Sequence, residues 1–595
     1  MRKIIVDILI LALALCFCTY PTEEIGVNTF DVSKASQTKA SEILGLNKLS
    51  TEDFNSECAK MIHNQTCDET SDFPYARILV QTNADVDFSQ LEGLTASAVD
   101  LTGFAALQFK DADYAREAFG VLEKMPGVDF VEADQKVEAA GDVELLGEAN
   151  QSDSTEESME YNSWGASQMG FDKAVEKAKQ SKRKTVVAVI DTGVDTTHPF
   201  LKDKCVSEGL NLFDPSKPQT DDNFHGTHVA GIIADCTKDD TYVKILPIKV
   251  LDEVGYGYDS VCRNAIMLAA DKKVDVINLS LSYGYSRAII EGVNYAISKG
   301  TTVVAAAGNA AKEELQNSPM AIPEAITVGA IDENHTLAGF SNFGPFVDVV
   351  APGTDILSSM PNGEYKKESG TSMATPHIAA FAAILKQMNP TWSSNMIQMC
   401  LKGASDDLGV EGPDNKYGYG FPNFDNVLSA NLAYKWKGFE SRHSGTSLPS
   451  ETYTYEAFSK DTKTIKVTFD NVSLGADEYI EIYDAKNNLV TKSNGLSFAG
   501  QTIKINGKKV TLKTVVDYKK ERWGFKVKEI VEIDKNTHIT FDSGVKKINK
   551  AAGKKVKMPA VKDKTIKVSF DACGGACDVK SEKKKVVFKG WAKSQ

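Results

Sequence analysis

The stretch GTSMATPH, residues 370–377, runs directly into IAAFAAIL, residues 378–385. Small and apolar residues dominate, with good helix formers among them. The pair reads as a buried helix that begins just before Ser372. A serine there meets free backbone N–H groups and the positive end of a helix dipole, which favour developing negative charge. A lone serine hydroxyl is a weak nucleophile; it needs a base, and the base needs an orienter.

Two upstream stretches offer both. In TVVAVIDTGVD, residues 185–195, Asp191 closes an apolar, β-branched run from Val186 to Ile190. That run reads as a buried parallel strand delivering a carboxylate at its C-terminal end, where open α/β sheets place their sites. In HGTHVAGIIA, residues 225–234, His225 heads a second small-residue helix. The chain order is Asp, His, Ser, with separations of 34 and 147 residues. Taken singly, an Asp after a strand is a turn or cap residue and a His before a helix is structural. That bland reading is kept for His198, His228 and His377, as packing or capping residues near the site. It fails for Asp191, His225 and Ser372 because all three sit in mutually consistent flanks.

Residue by residue these segments resemble the subtilisin-like serine proteases, whose Asp, His, Ser order sets them apart from chymotrypsin and the α/β-hydrolases. VVAAAGN, residues 303–309, is similar to the family's oxyanion-hole segment, with Asn309 as the amide. The resemblance implies that Ser372 attacks the peptide carbonyl, His225 moves the proton and Asp191 holds the imidazole, while Asn309 and the Ser372 N–H receive the oxyanion. The implied fold is α/β, a three-layer domain around a parallel sheet. In the family two loops hold substrate as an added β-strand. Here Tyr256 and Gly257 occupy one loop and Ser280, Leu281 and Ser282 the other, with Ser282 standing where glycine is usual. Ala306, Ala307 and Gly308 would line the primary pocket, and none is charged, so an apolar or uncharged residue is expected before the scissile bond. The family's usual calcium site has lost a ligand to Phe200, and the loop after residue 234 is too short for the rest. No metal and no cofactor are expected.

Outside 159–433, the expected peptidase domain, the texture changes. Residues 1–18 read as a secretory signal, basic at Arg2 and Lys3 and then apolar. Residues 19–72 are polar, with no clear core. Strands around an amphipathic helix at 111–127, ending in VDFVEADQKV, resemble the family's inhibitory propeptide over 73–140, a ferredoxin-like α+β domain. An acidic linker, 141–158, follows, where self-cleavage is expected. Residues 434–534 alternate as strands and resemble a CUB-like β-sandwich. Residues 535–595 carry sixteen Lys against five Asp or Glu and resemble a bacterial surface repeat, a segment suited to an anionic cell wall.

A chain of 595 residues with net charge −14 implies several domains and argues against a nucleic-acid binder. Eight of its ten cysteines lie beyond the leader. Cys58 with Cys67 and Cys573 with Cys577 are local disulfide candidates and Cys205 with Cys236 a further one, leaving Cys262 and Cys400 as buried thiols. The expected partners are protein or peptide substrates and the chain's own propeptide, and the expected location is secreted or cell-surface. Two other readings remain open: a cell-surface binding protein with an inert protease fold, and a maturation protease dedicated to one partner.

Overall fold

The computed structural model describes residues 48–62, 72–140, 163–206, 209–313, 325–410 and 412–429. Beyond these it describes strands and short connections at 435–437, 452–458, 462–474, 478–494, 498–515, 524–534, 538–542, 547–551, 567–568, 577–582 and 585–591. The expected leader and acidic linker lie outside the described residues, as do Cys67 and Cys573.

Helix α1 (Thr51–Ile62) precedes strands β1 (Arg77–Thr82), β2 (Leu94–Val99) and β3 (Phe104–Phe109), helix α2 (Ala112–Leu122), and strands β4 (Val128–Ala133) and β5 (Lys136–Ala139). Four of the strands form an antiparallel sheet ordered β2-β3-β1-β4. Helix α2 starts where the Asp111 side chain accepts from the N–H groups of Asp113 and Tyr114, and it lays Ala115, Ala118 and Leu122 on that sheet. Helix α1 is absent from the sequence reading of 19–72 as a stretch without a core. Its buried face is Phe54, Cys58 and Met61, packed with Phe104 and Phe130. With only Phe54 and Met61 as large buried apolar residues, beside the small Cys58 and Ala59, the period is faint, and contact with a neighbouring sheet is what buries them.

The α/β domain follows: α3 (Trp164–Gln168), α4 (Phe171–Ala178), β6 (Thr185–Asp191), β7 (Leu210–Asn211), α5 (His225–Cys236), β8 (Val243–Lys249), β9 (Tyr256–Tyr258), α6 (Asp259–Asp271), β10 (Val276–Leu279), β11 (Leu281–Tyr283), α7 (Arg287–Ser298), β12 (Thr302–Ala306), β13 (Ile326–Ile331), β14 (Val349–Pro352), β15 (Ile356–Met360), β16 (Glu364–Glu368), α8 (Thr371–Met388), α9 (Ser394–Gly403) and α10 (Phe424–Ser429). Seven strands pair in parallel in the order β14-β13-β12-β10-β6-β8-β7. In β6, Val187 and Val189 enter the core on one face, Ala188 and Ile190 the core on the other. Both faces are covered, so the strand is apolar throughout instead of alternating. Helices α4, α5 and α8 cover one face and α6 and α7 the other. Of the eighteen residues of α8, all but Met388 are buried, which is why its sequence is small and apolar on every side.

The described strands between 435 and 534 form two four-stranded antiparallel sheets around a core that includes Val467, Phe469, Ile480, Leu512 and Phe525. Met399 of α9 projects into that core. Further on, 538–542 pairs with 547–551 and 577–582 with 585–591. Among the described residues no helix is long and apolar enough to cross a membrane.

Two disulfide expectations are corrected. Cys205 and Cys236 are both free thiols, and Cys58 is free and buried. Burial pushes the Cys58 and Cys205 thiols up to about 12 and raises Cys236 as well. Each acts as a small core residue, a role that spacing along the chain does not reveal. Cys262 and Cys400 are also buried and free.

Candidate active site

Strand β6 ends at the C-terminal edge of the sheet and leaves Asp191 fully buried there. Helix α5 begins beside it with His225, whose Nδ1 lies 2.8 Å from Asp191 Oδ1. The approach depends on Gly226, because a Cβ at that position would stand 2.1 Å from the Gly193 carbonyl oxygen. The Thr192 N–H donates to the same carboxylate oxygen at 2.7 Å. His228 and His377 are buried away from this pair. Their rings meet the carbonyls of Lys366 and Met373, and burial pushes them down to about 3 and about 4.

Ser372 is the second residue of α8 and is buried. Its Oγ lies 2.5 Å from the carbonyl oxygen of Ala140 and 3.2 Å from that of Ser280. Asn309 Nδ2 donates to the same Ala140 oxygen at 2.5 Å. The orientation of that amide is set by Thr371, whose N–H and Oγ1 lie 2.8 Å and 2.9 Å from Asn309 Oδ1. Gly308 N–H in turn donates to Thr371 Oγ1.

Ala140 arrives at this point as the end of an inserted strand. β5 is the middle of a three-stranded antiparallel sheet, with β11 on one side and β9 on the other. Ala139 pairs with Leu281 and Glu138 with Ser282; on the other side Val137 pairs with Gly257 and Glu138 with Tyr256. The Ala140 N–H donates to the Ser280 carbonyl at 3.1 Å. Val137 and Ala140 are buried in one apolar cluster with Leu281, Val261 and Ala306. Ala307 lies in the core of the opposite face, and Gly308 holds a positive φ of 95° that a side chain would strain.

Carboxylates fasten this inserted region to the α/β domain. Asp100 pairs with Arg263 at 2.9 Å, and the Arg263 guanidinium lies over the Phe104 ring. Asp134 pairs with Arg77 at 2.5 Å and accepts from Ser260 N and Oγ in the first turn of α6. Glu132 accepts from the N–H groups of Arg287 and Ala288, where α7 begins. Both acids sit at helix N-termini, where the dipole favours them. Burial raises Glu132 and drives Asp259 well above the carboxylate range, with Asp134 and Glu132 adding to the shift. Burial also pushes Glu291 up to about 7.

Sequence reasoning named Asp191, His225, Asn309 and Ser372 without naming Thr371, which aims the amide, or Ala140, whose carbonyl lies against Ser372 Oγ and Asn309 Nδ2. Thr371 stood inside the opening motif, but its partner lies 62 residues away.

A seven-stranded parallel sheet, with an acid at a strand end facing an imidazole and a serine at a helix start, defines a subtilisin-like α/β peptidase domain. The pattern of the subtilase family matches residues 182–420. The chain is 42% identical over 240 residues to the thermophilic serine proteinase of Bacillus sp. (strain AK1), an alignment covering 39% of this chain and 59% of that protein. To subtilisin BL of Lederbergia lenta it is 40% identical over 245 residues, covering 40% and 88%. To the cell wall-associated protease of Bacillus subtilis (strain 168) it is 40% identical over 246 residues, covering 39% and 27%. The chain belongs to the subtilase family, and its α/β domain is that of a subtilisin-like serine endopeptidase.

Proposed function

We propose that the chain is an exported serine endopeptidase made as a self-processing zymogen, with residues 73–140 as its inhibitory propeptide. Ser372 is the nucleophile, His225 the general base and then acid, and Asp191 the group that holds the imidazole tautomer. Asn309 Nδ2 and the Ser372 N–H receive the oxyanion. In the first step Ser372 Oγ bonds to the Ala140 carbonyl carbon while His225 takes the hydroxyl proton. Collapse breaks the Ala140–Gly141 bond, the proton passes to the Gly141 amine, and water then hydrolyses the acyl-enzyme by the same route.

One observation carries this reading. A single carbonyl, that of Ala140, lies 2.5 Å from both Ser372 Oγ and Asn309 Nδ2. The maturation bond is therefore read as Ala140–Gly141. The same strand supports the expected preference, with a small residue before the scissile bond and an aliphatic one three positions earlier, since Ala140 and Val137 are both buried. An inert binding protein has no comparable observation in its favour. The name of the cell wall-associated relative fits a secreted or wall-bound enzyme, with the C-terminal segments as the surface contact.

The test is mass spectrometry of the purified protein. Wild type should give a mature N-terminus at Gly141, or at a trimmed position downstream of it. Ser372→Ala should remain uncut apart from its leader, with activity down by about 10⁶-fold, the figure known for subtilisin. Normal maturation of Ser372→Ala would mean that another protease does the cutting.

A further inference from the structure

Asp221 is nearly buried, and both oxygens of its carboxylate are fully engaged. Oδ1 accepts from Thr192 Oγ1 at 2.9 Å and from Asn223 N at 3.0 Å. Oδ2 accepts from Thr227 N at 2.9 Å and Thr227 Oγ1 at 2.6 Å. These donors belong to the two segments that meet at the site. Thr192 follows Asp191 directly at the end of β6. Thr227 is in the first turn of α5, two residues after His225.

The stitching continues outward. Thr192 Oγ1 accepts from the Gly226 N–H at 2.9 Å, so strand end and helix start are also tied without an intermediary. Thr227 Oγ1 accepts from the Asp195 N–H at 3.0 Å. Asn223, held by Asp221, accepts from the His225 N–H at 3.2 Å. On the far side Lys249 Nζ donates to the Thr192 carbonyl at 2.7 Å and meets Asp222 at 2.6 Å. A buried carboxylate at a helix N-terminus is stabilised by the dipole and by the free N–H groups it accepts from. This one also satisfies a strand end, which a simple helix cap does not.

We propose that Asp221 is a positioning residue for the reaction: through Thr192 and Thr227 it fixes the strand end carrying Asp191 against the helix start carrying His225. It touches neither substrate nor the reacting atoms. Its effect is on the Asp191–His225 distance and on how far that distance wanders. The proposal rests on the reading of Asp191, His225 and Ser372 given above.

Two substitutions of Thr192 test it without removing a buried charge. Thr192→Val keeps the shape and deletes the hydroxyl that joins Asp221 to Gly226, whereas Thr192→Ser keeps the hydroxyl. Both are measured as the processed enzyme on one peptide substrate, with kcat, KM, the pH profile of kcat/KM, and Tm. Thr192→Val should lose kcat by about 10- to 100-fold, since a displacement of roughly 1 Å costs about 10²-fold, with KM within about twofold. The acid limb of its profile should move to lower pH, because a carboxylate held less closely to His225 supports the imidazolium less. Thr192→Ser should keep most of the wild-type kcat. A Thr192→Val enzyme with wild-type kcat and an unmoved acid limb overturns the proposal. So does a Thr192→Ser enzyme as impaired as Thr192→Val, with kcat losses that follow Tm. Wild type unable to cleave any peptide would instead strike the underlying protease reading.

Discussion

The α/β domain meets a neighbour on each of two sides, and the two contacts are built differently. The N-terminal region reaches it through buried ions and an added strand, together with apolar burial of Val137 and Ala140 beside Leu281 and of Ala288 beside Phe104 and Phe130. Asp134, Glu132 and Asp100 meet two helix N-termini and an arginine, while β5 lies between β9 and β11 and joins them into one sheet. The C-terminal sandwich reaches it through α9. Met399 joins the sandwich core, Trp392 meets the Phe458 ring edge-on at 4.9 Å, and two polar links join Ser393 to Glu456 and Asn395 to Thr454. Ions and backbone hydrogen bonds can be rehydrated when partners separate. A methionine pulled from an apolar core cannot be compensated that way. The first contact carries the larger share of ions and backbone hydrogen bonds, which fits the proposed departure of the N-terminal region, and the second is the more apolar of the two.

The largest effect that would break this contrast is at Asp134. Asp134→Ala, placed in the uncut Ser372→Ala protein, leaves Arg77 buried without its ion partner. It should destabilise that protein by about 3–5 kcal/mol, read from urea unfolding. The processed enzyme made from Asp134→Ala with Ser372 intact should unfold like processed wild type, because residue 134 would leave with the N-terminal piece. Equal losses in both forms would mean that the region never leaves.

Met399→Ala tests the opposite side. It should cost about 2–4 kcal/mol in the uncut and the processed forms alike, measured by the same unfolding. A loss confined to the uncut form would put the sandwich among the parts that depart.

A pH series sharpens the contrast with the smallest effect. Glu132, Asp259 and Glu291 carry raised pKa values while the N-terminal region is docked. Docking therefore favours their protonated forms. Its contribution is fullest at pH values below the ordinary carboxylate range and is lost as pH rises through about 7, the value for Glu291. The freshly cut N-terminal fragment should inhibit more weakly at pH 8 than at pH 6, by up to about tenfold per pH unit for each proton released. Inhibition that tightens with rising pH would contradict this. The sandwich contact should show no such dependence on Glu291.

Legibility followed the same division. Strand β6 and helices α5 and α8 were readable because each is a long apolar run bounded by a polar residue that has work at its end. Helix α1 was not, since its buried positions, Phe54, Asn55, Cys58, Ala59 and Met61, mix a polar and two small residues with only two large apolar ones. Cys205 and Cys236 stay unpaired; spacing along the chain carries no information about which side chains face each other. The closing stretch VDFVEADQKV enters as two strands, β4 and β5, broken where Asp134 turns into the α/β domain to meet Ser260.

By itself the sequence determined the α/β class, the order of Asp191, His225 and Ser372, and the amide at Asn309. Those features are local: apolar periodicity and short motifs place a side chain at the end of its own strand or helix. Three-dimensional packing was needed to bring the Ala140 carbonyl to Ser372 and Asn309, Thr371 to Asn309, and Asp221 between strand end and helix start. Each of these is a meeting of distant residues, 232 apart for Ala140 and Ser372. Such meetings are settled by packing and hydrogen-bond geometry in space, which no local pattern encodes.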